Sequence, residues 1–203
     1  MSKLKNCWVW MVAAWLLPAC APSPKPRPVP STRVRAERVG QRAVARLRSA
    51  LMRRVLAAVR SAGVAAATEA CAGDAQRITA RVNRELGPGV TVKRTGLRVR
   101  NPKNEPDAAE RGALQRLALA LKQGAMPAHL LGREARPTGA VYRFYVPIRA
   151  LGLCVKCHGP AATIAPAVRA VLQKRYPGDR ATGYGVGDLR GMFSVTIRES
   201  ALR

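Results

Sequence analysis

The sequence predicts an α+β domain: an antiparallel sheet with flanking helices, preceded by a long N-terminal amphipathic helix. Three observations carry that prediction. Apolar residues recur every three or four positions up to about residue 86, and beyond residue 89 the period shortens towards two. Helices come first and strands with inserted helices follow, the order expected of an α+β domain. Hydrophobic residues make up 48% of the 203, enough for a packed core, and no internal repeat interrupts the pattern.

The elements follow in order. Lys3 and Lys5 precede an apolar run from Trp8 to Leu17, too short to span a bilayer, so residues 1–19 read as a signal peptide. Leu17-Pro18-Ala19-Cys20 resembles a bacterial lipobox, which would make Cys20 an acylated N-terminus. Ordinary cleavage nearby, with Cys20 a spare thiol, is the alternative. Residues 20–32 then alternate with proline (Pro22, Pro24, Pro26, Pro28, Pro30) and form an extended spacer. From Arg33, the series Val44, Leu47, Leu51, Val55, Ala58 and Ala62 marks the buried face of a basic helix ending near Gly63. A second helical stretch, 64–86, carries Cys71 and stops at Gly87-Pro88-Gly89. Residues 90–95 and 97–100 read as two short strands broken at Gly96, followed by a stiff Asn101–Pro106 turn. Asp107 and Glu110 fit a helix cap ahead of Leu114, Leu117 and Leu121. A strand over 139–149, a helix around 164–175 and a last strand over 191–198 complete the domain, 33–203.

Charge is the compositional outlier: Lys+Arg 36 against Asp+Glu 11, a net of +25. Loss of Lys3 and Lys5 with the signal would leave 34 against 11, or +23. Such a balance normally points to nucleic acid, but an exported chain does not routinely meet it. Anionic headgroups, surface polysaccharide or an acidic redox partner suit the charge better. A solvated, arginine-rich surface without a partner is the plain alternative.

The chemistry lies in Cys154-Val155-Lys156-Cys157-His158. C-x-x-C-H reads as a c-type haem attachment site, in which two thiols form thioethers with the vinyl groups and the imidazole binds iron. That attachment takes place on the exported side of the bacterial membrane, in agreement with the leader. Two rivals stand beside it. A thiol oxidoreductase site would open a helix in a βαβ setting, and a zinc site would add His129 and Cys71 to the two cysteines. For a second axial ligand the chain offers Cys71, His129, Met126 and Met192, or an open site.

The ordered set Arg94-Thr95, Arg100-Asn101-Pro102-Lys103-Asn104-Glu105-Pro106-Asp107, Tyr145-Val146-Pro147-Ile148, Cys154–Gly159 and Gly183–Gly191 resembles the bacterial family of PAS-like mono-haem c-type domains. These stand alone or precede histidine kinases and cyclases as sensor modules. The resemblance covers about residues 45–198. It implies a PAS-like fold and one covalent haem c, with His158 and Cys71 as axial ligands. It also implies that Arg94 and Arg100 line the haem or its propionates, although a stiff turn with arginines pairing local acids accounts for them equally. Taken alone, the final glycine cluster could pass for a dinucleotide loop; it reads better as the turn into the last strand.

The expected function is redox sensing or electron transfer by an exported, lipid-anchored single-haem protein facing the periplasm. Nearby arginines are expected to lower the Cys71 pKa, and a thiolate ligand would favour Fe(III). No kinase or cyclase follows in this sequence, so signalling would need a partner protein. The alternative is a peroxidase-like or gas-converting haem enzyme with an open sixth site and His129 as its acid-base group. A third reading makes the chain a basic surface-binding module stapled by haem.

Overall fold

The computed structural model describes residues 31–203; the expected signal segment, Cys20 and the spacer up to Pro30 lie outside the described residues. Helix α1 (Thr32–Leu86) starts one residue earlier than the sequence suggests, because the Ser31 hydroxyl accepts a hydrogen bond from the Val34 N–H at 3.3 Å. Its backbone leaves helical geometry at Ala62 (φ −151°) and Gly63 (φ 78°, ψ −174°). A positive φ suits glycine, and here it reverses the chain. Arg54 of the first arm reaches Asp74 of the second at 2.6 Å, and Ala50 and Val82 share one core. The single helical segment is therefore an antiparallel hairpin, with its break where the sequence placed one.

Four antiparallel strands follow, β1 (Val90–Thr95), β2 (Leu130–Glu134), β3 (Val141–Arg149) and β4 (Leu189–Arg198), in the order β1-β4-β3-β2. Alternation along β3 and β4 gives the sheet two apolar faces. Phe144, Phe193, Val195 and Ile197 pack against Ala43, Val44, Leu47 and Leu51 of α1. Tyr145 and Met192 point the other way, onto Ala113, Leu114 and Leu117 of α2 (Ala108–Lys122). The result is an α+β domain with helices on both sides of the sheet. Helix α2 begins at the expected capping box, with Asp107 and Glu110 exchanging hydrogen bonds at 2.7 and 2.9 Å. Helix α3 (Gly152–His158) follows β3, and α4 (Pro166–Arg175) packs on the second arm of α1.

Two strand expectations need correction. Residues 97–100 form bends, not a strand. The β1–β4 ladder ends at Thr95 and Met192, and beyond it Val99 accepts a backbone hydrogen bond from Arg180 at 3.2 Å. Strand β2 escaped notice because it is a five-residue edge strand interrupted by Gly132.

The contact between α1 and the sheet leaves no room at Gly40, where an added Cβ would lie 2.4 Å from Phe144 Cδ1. Gly40→Ala should therefore cost about 1–3 kcal/mol through overpacking. Gly73, on the second arm, has nothing within 4 Å of the place a Cβ would take, and the same change there should gain about 0.5–1 kcal/mol. Urea unfolding of the two variants checks both signs.

Candidate functional site

Helix α3 is short enough to gather Cys154, Cys157 and His158 within two turns. The thiols diverge in their packing. Cys154 lies against Ala150, Ala181 and Tyr184, while Cys157 faces the second arm of α1, its Sγ 3.2 Å from Thr68 Oγ1. The C-terminal end of α3 is clamped by the 183–184 turn: Tyr184 N–H donates to the His158 carbonyl at 2.9 Å, and Gly183 N–H to that of Gly159 at 2.8 Å. The glycine-rich segment is thus a turn into β4, as the sequence indicated. Cys154 stands in the first turn of α3, as a cysteine of a thiol oxidoreductase site would. What separates α3 from that class is its setting between antiparallel strands, with no βαβ unit.

His158 Nδ1 lies 2.7 Å from the Ala181 carbonyl oxygen. Burial holds the imidazole pKa well below its ordinary value, and Arg190 and Arg100 push the same way against the bond to Ala181. The ring is therefore neutral at neutral pH. A carbonyl only accepts, so the single proton sits on Nδ1 and the lone pair is left on Nε2. That is the tautomer a metal ligand needs, fixed by a backbone partner.

Cys71 lies one helical turn beyond Thr68, half-buried. Its thiol pKa is raised, because burial outweighs the opposing effect of Arg94, Arg100 and Arg54, and Cys157 adds to the rise. The expected lowering by nearby arginine is reversed, for desolvation is the larger effect here. The other candidate ligands are elsewhere. His129 stacks on Phe144 at 4.9 Å with Glu37 at 3.8 Å, and Met126 and Met192 belong to the core under α2. Among the described residues no three His, Cys, Asp or Glu side chains cluster to hold a metal, so the zinc alternative is not assembled.

Four guanidinium groups surround this helix. Arg100 pairs with Asp179 at 2.8 Å and donates to the Cys157 carbonyl at 2.6 Å. Arg98 lies 3.9 Å over the Tyr184 ring and Arg190 5.2 Å from it, while Tyr184 meets His158 edge-on at 6.5 Å. Burial lowers the pKa of both Arg94 and Arg190, and the Nε of each is shielded from solvent with no hydrogen-bond partner among the described residues. Sequence reasoning missed Arg190, Asp179 and Tyr184. Gly191 was the available signal: an added Cβ there would lie 2.2 Å from the Thr95 oxygen, so the strands close tightly beside Arg94 and Arg190. A cleft of about 410 Å³ lies apart from all of this, between α2 and the β2–β3 edge around Gly112, Arg143 and Tyr145.

Asp179 is the one carboxylate paired within this arginine group, and its second oxygen accepts from the Ala181 N–H at 2.8 Å. Asp179→Ala should leave Arg100 buried without its partner and cost about 3–5 kcal/mol, measured by denaturant unfolding. Exposed Asp188→Ala serves as the comparison and should change stability far less.

Residues 31–198 match the model of the Tll0287-like family. Among solved structures, the crystal structure of the cyanobacterial haem protein Tll0287 is 24% identical, with 81% of this chain and 91% of that chain covered and a TM-score of 0.49. No curated protein matches the chain. With its match running from the helix cap at Ser31 to the end of β4, the chain belongs to the Tll0287-like family.

Proposed function

We propose that this chain is a haem protein carrying one covalent haem c, attached through Cys154 and Cys157, in redox sensing or electron transfer. The observation that carries the reading is the His158 imidazole inside a C-x-x-C-H sequence, its Nδ1 2.7 Å from the Ala181 carbonyl oxygen so that Nε2 is left for a metal. Membership of a family named for Tll0287, a haem protein, supports it. The donor set fits the group. Two free thiols and an imidazole lone pair share one short helix. The unpartnered Nε atoms of Arg94 and Arg190 suit haem carboxylates, which would complete their hydrogen bonding. Bound haem supplies a one-electron Fe(III)/Fe(II) couple.

The protein's own groups then act on that couple. His158 offers Nε2 as an axial ligand, and Ala181 fixes its orientation. Cys71 is the second axial ligand in this reading, supported by its shared neighbourhood with Cys157, Arg94 and Arg100. As a thiolate it would favour the ferric state, and the arginines would offset part of that preference. The PAS-like architecture also belongs to the proposal, as do export to the periplasm and a lipid anchor at Cys20.

Visible spectra of the protein made with the cytochrome c attachment machinery test the reading. Covalent low-spin haem is expected, with a ferric spectrum that changes in Cys71→Ala and haem lost to acid extraction in Cys154→Ser/Cys157→Ser. An unaltered Cys71→Ala spectrum removes Cys71 as ligand, and protein without haem overturns the proposal. Slow, weak cyanide binding to the untreated protein is expected; rapid and tight binding would favour a haem enzyme.

A further inference from the structure

The outward stripe of the first α1 arm is assigned no role by the haem site. At 100° per residue, Arg38, Arg42, Arg46, Arg53 and Arg60 fall on one side of that arm, opposite the buried Ala43, Leu47 and Leu51. Among the described residues none of these five lies within ion-pair distance of a carboxylate, and residues 1–30 contain no Asp or Glu. Interleaved on the same stripe are Val34, Met52 and Leu56, exposed to 43%, 41% and 38%. They are three of the seven large apolar side chains that the domain exposes. A cleft of about 360 Å³ between the two arms is lined by Arg46, Arg53 and Arg81, with Glu85 alone opposing them.

We infer that this face of the hairpin docks on an anionic lipid surface, the arginines pairing with headgroup phosphates and Val34, Met52 and Leu56 entering the acyl boundary. Interleaved guanidinium and apolar side chains along one helix face suit the plane of a membrane interface, where both chemistries are within a few ångströms. An acidic protein would be met by the charges but would leave no reason for the exposed apolar residues between them. By length and composition α1 would also pass as a bilayer-crossing helix. Its reversal at Ala62–Gly63 and the flanking Arg53, Arg54 and Arg60 fit the interface plane instead of the hydrocarbon centre. The inference rests on the exported, membrane-facing part of the proposed function and is independent of haem ligation. Cys20 stands a short proline-rich stretch ahead of Ser31, so an acyl anchor there would bring this arm to the same surface.

The test uses the full mature chain with Cys20→Ser, so that no acyl group contributes. Its sedimentation with phosphatidylglycerol/phosphatidylcholine vesicles is compared with phosphatidylcholine alone, across a salt series. Binding to the anionic vesicles that weakens with salt is expected, with Arg42→Gln/Arg53→Gln/Arg60→Gln weakening it by about a hundredfold. Met52→Ser/Leu56→Ser should weaken it further at high salt, where the apolar part dominates. The control removes equal charge from the opposite side, in Arg111→Gln/Arg116→Gln/Lys122→Gln, and should retain most of the binding. Equal loss in both triple variants, equal binding to neutral vesicles, or no binding at low salt would each overturn the inference. Haem spectra of the same samples keep its failure separate from failure of the haem reading, and circular dichroism confirms that each variant is folded.

Discussion

The Arg100–Asp179 ion pair is the constraint on which the candidate site depends. Arg100 lies just beyond β1, and Asp179 lies between α4 and β4. Through the same two side chains Arg100 reaches the Cys157 carbonyl and Asp179 caps the Ala181 N–H. The Ala181 carbonyl in turn fixes His158. One buried pair therefore ties the end of α3, the exit from β1 and the approach to β4 into one frame. With side chains only 12% and 10% exposed, each charge depends on the other for its solvation.

Around that frame the positive charge is in excess. Arg94 and Arg190 come together because β1 and β4 close tightly at Gly191 and Thr95, and among the described residues neither has a carboxylate of its own. Burying unpaired guanidinium groups is costly, which makes an anion the natural complement to the site. Burial keeps His158 neutral, and the same excess works in that direction, since a proton on its ring would add another positive charge among the arginines. A single electrostatic arrangement thus favours both an unprotonated imidazole and negatively charged groups nearby.

The basic charge has two structural forms with different consequences. Inside, it is organised against Tyr184, Asp179 and backbone carbonyls and restricts which ligands the protein can hold. On the outward stripe of the first arm of α1, at Arg38, Arg42, Arg46, Arg53 and Arg60, it is solvent-facing, without a carboxylate partner among the described residues and interleaved with apolar side chains, and so suits an encounter with another surface. A net charge of +25 conceals this division. The exposed arginines lie on the side of the sheet opposite α2, whereas the buried ones converge on α3.

Local chemistry made much of this molecule legible in its sequence. Helix periodicity located both arms of α1, Gly63 marked their junction, and Asp107 with Glu110 marked the start of α2, because caps and turns are decided by residues within one helical turn of one another. For the same reason the C-x-x-C-H spacing brings Cys154, Cys157 and His158 together on α3. Pairing across long separations was beyond it. That residues 97–100 bond to the Arg180 segment instead of extending the sheet, that Arg190 joins Arg94, and that burial overrides arginine at Cys71 all depend on what the fold packs nearby. Desolvation is a property of the packed surroundings, and no spacing along the chain encodes it.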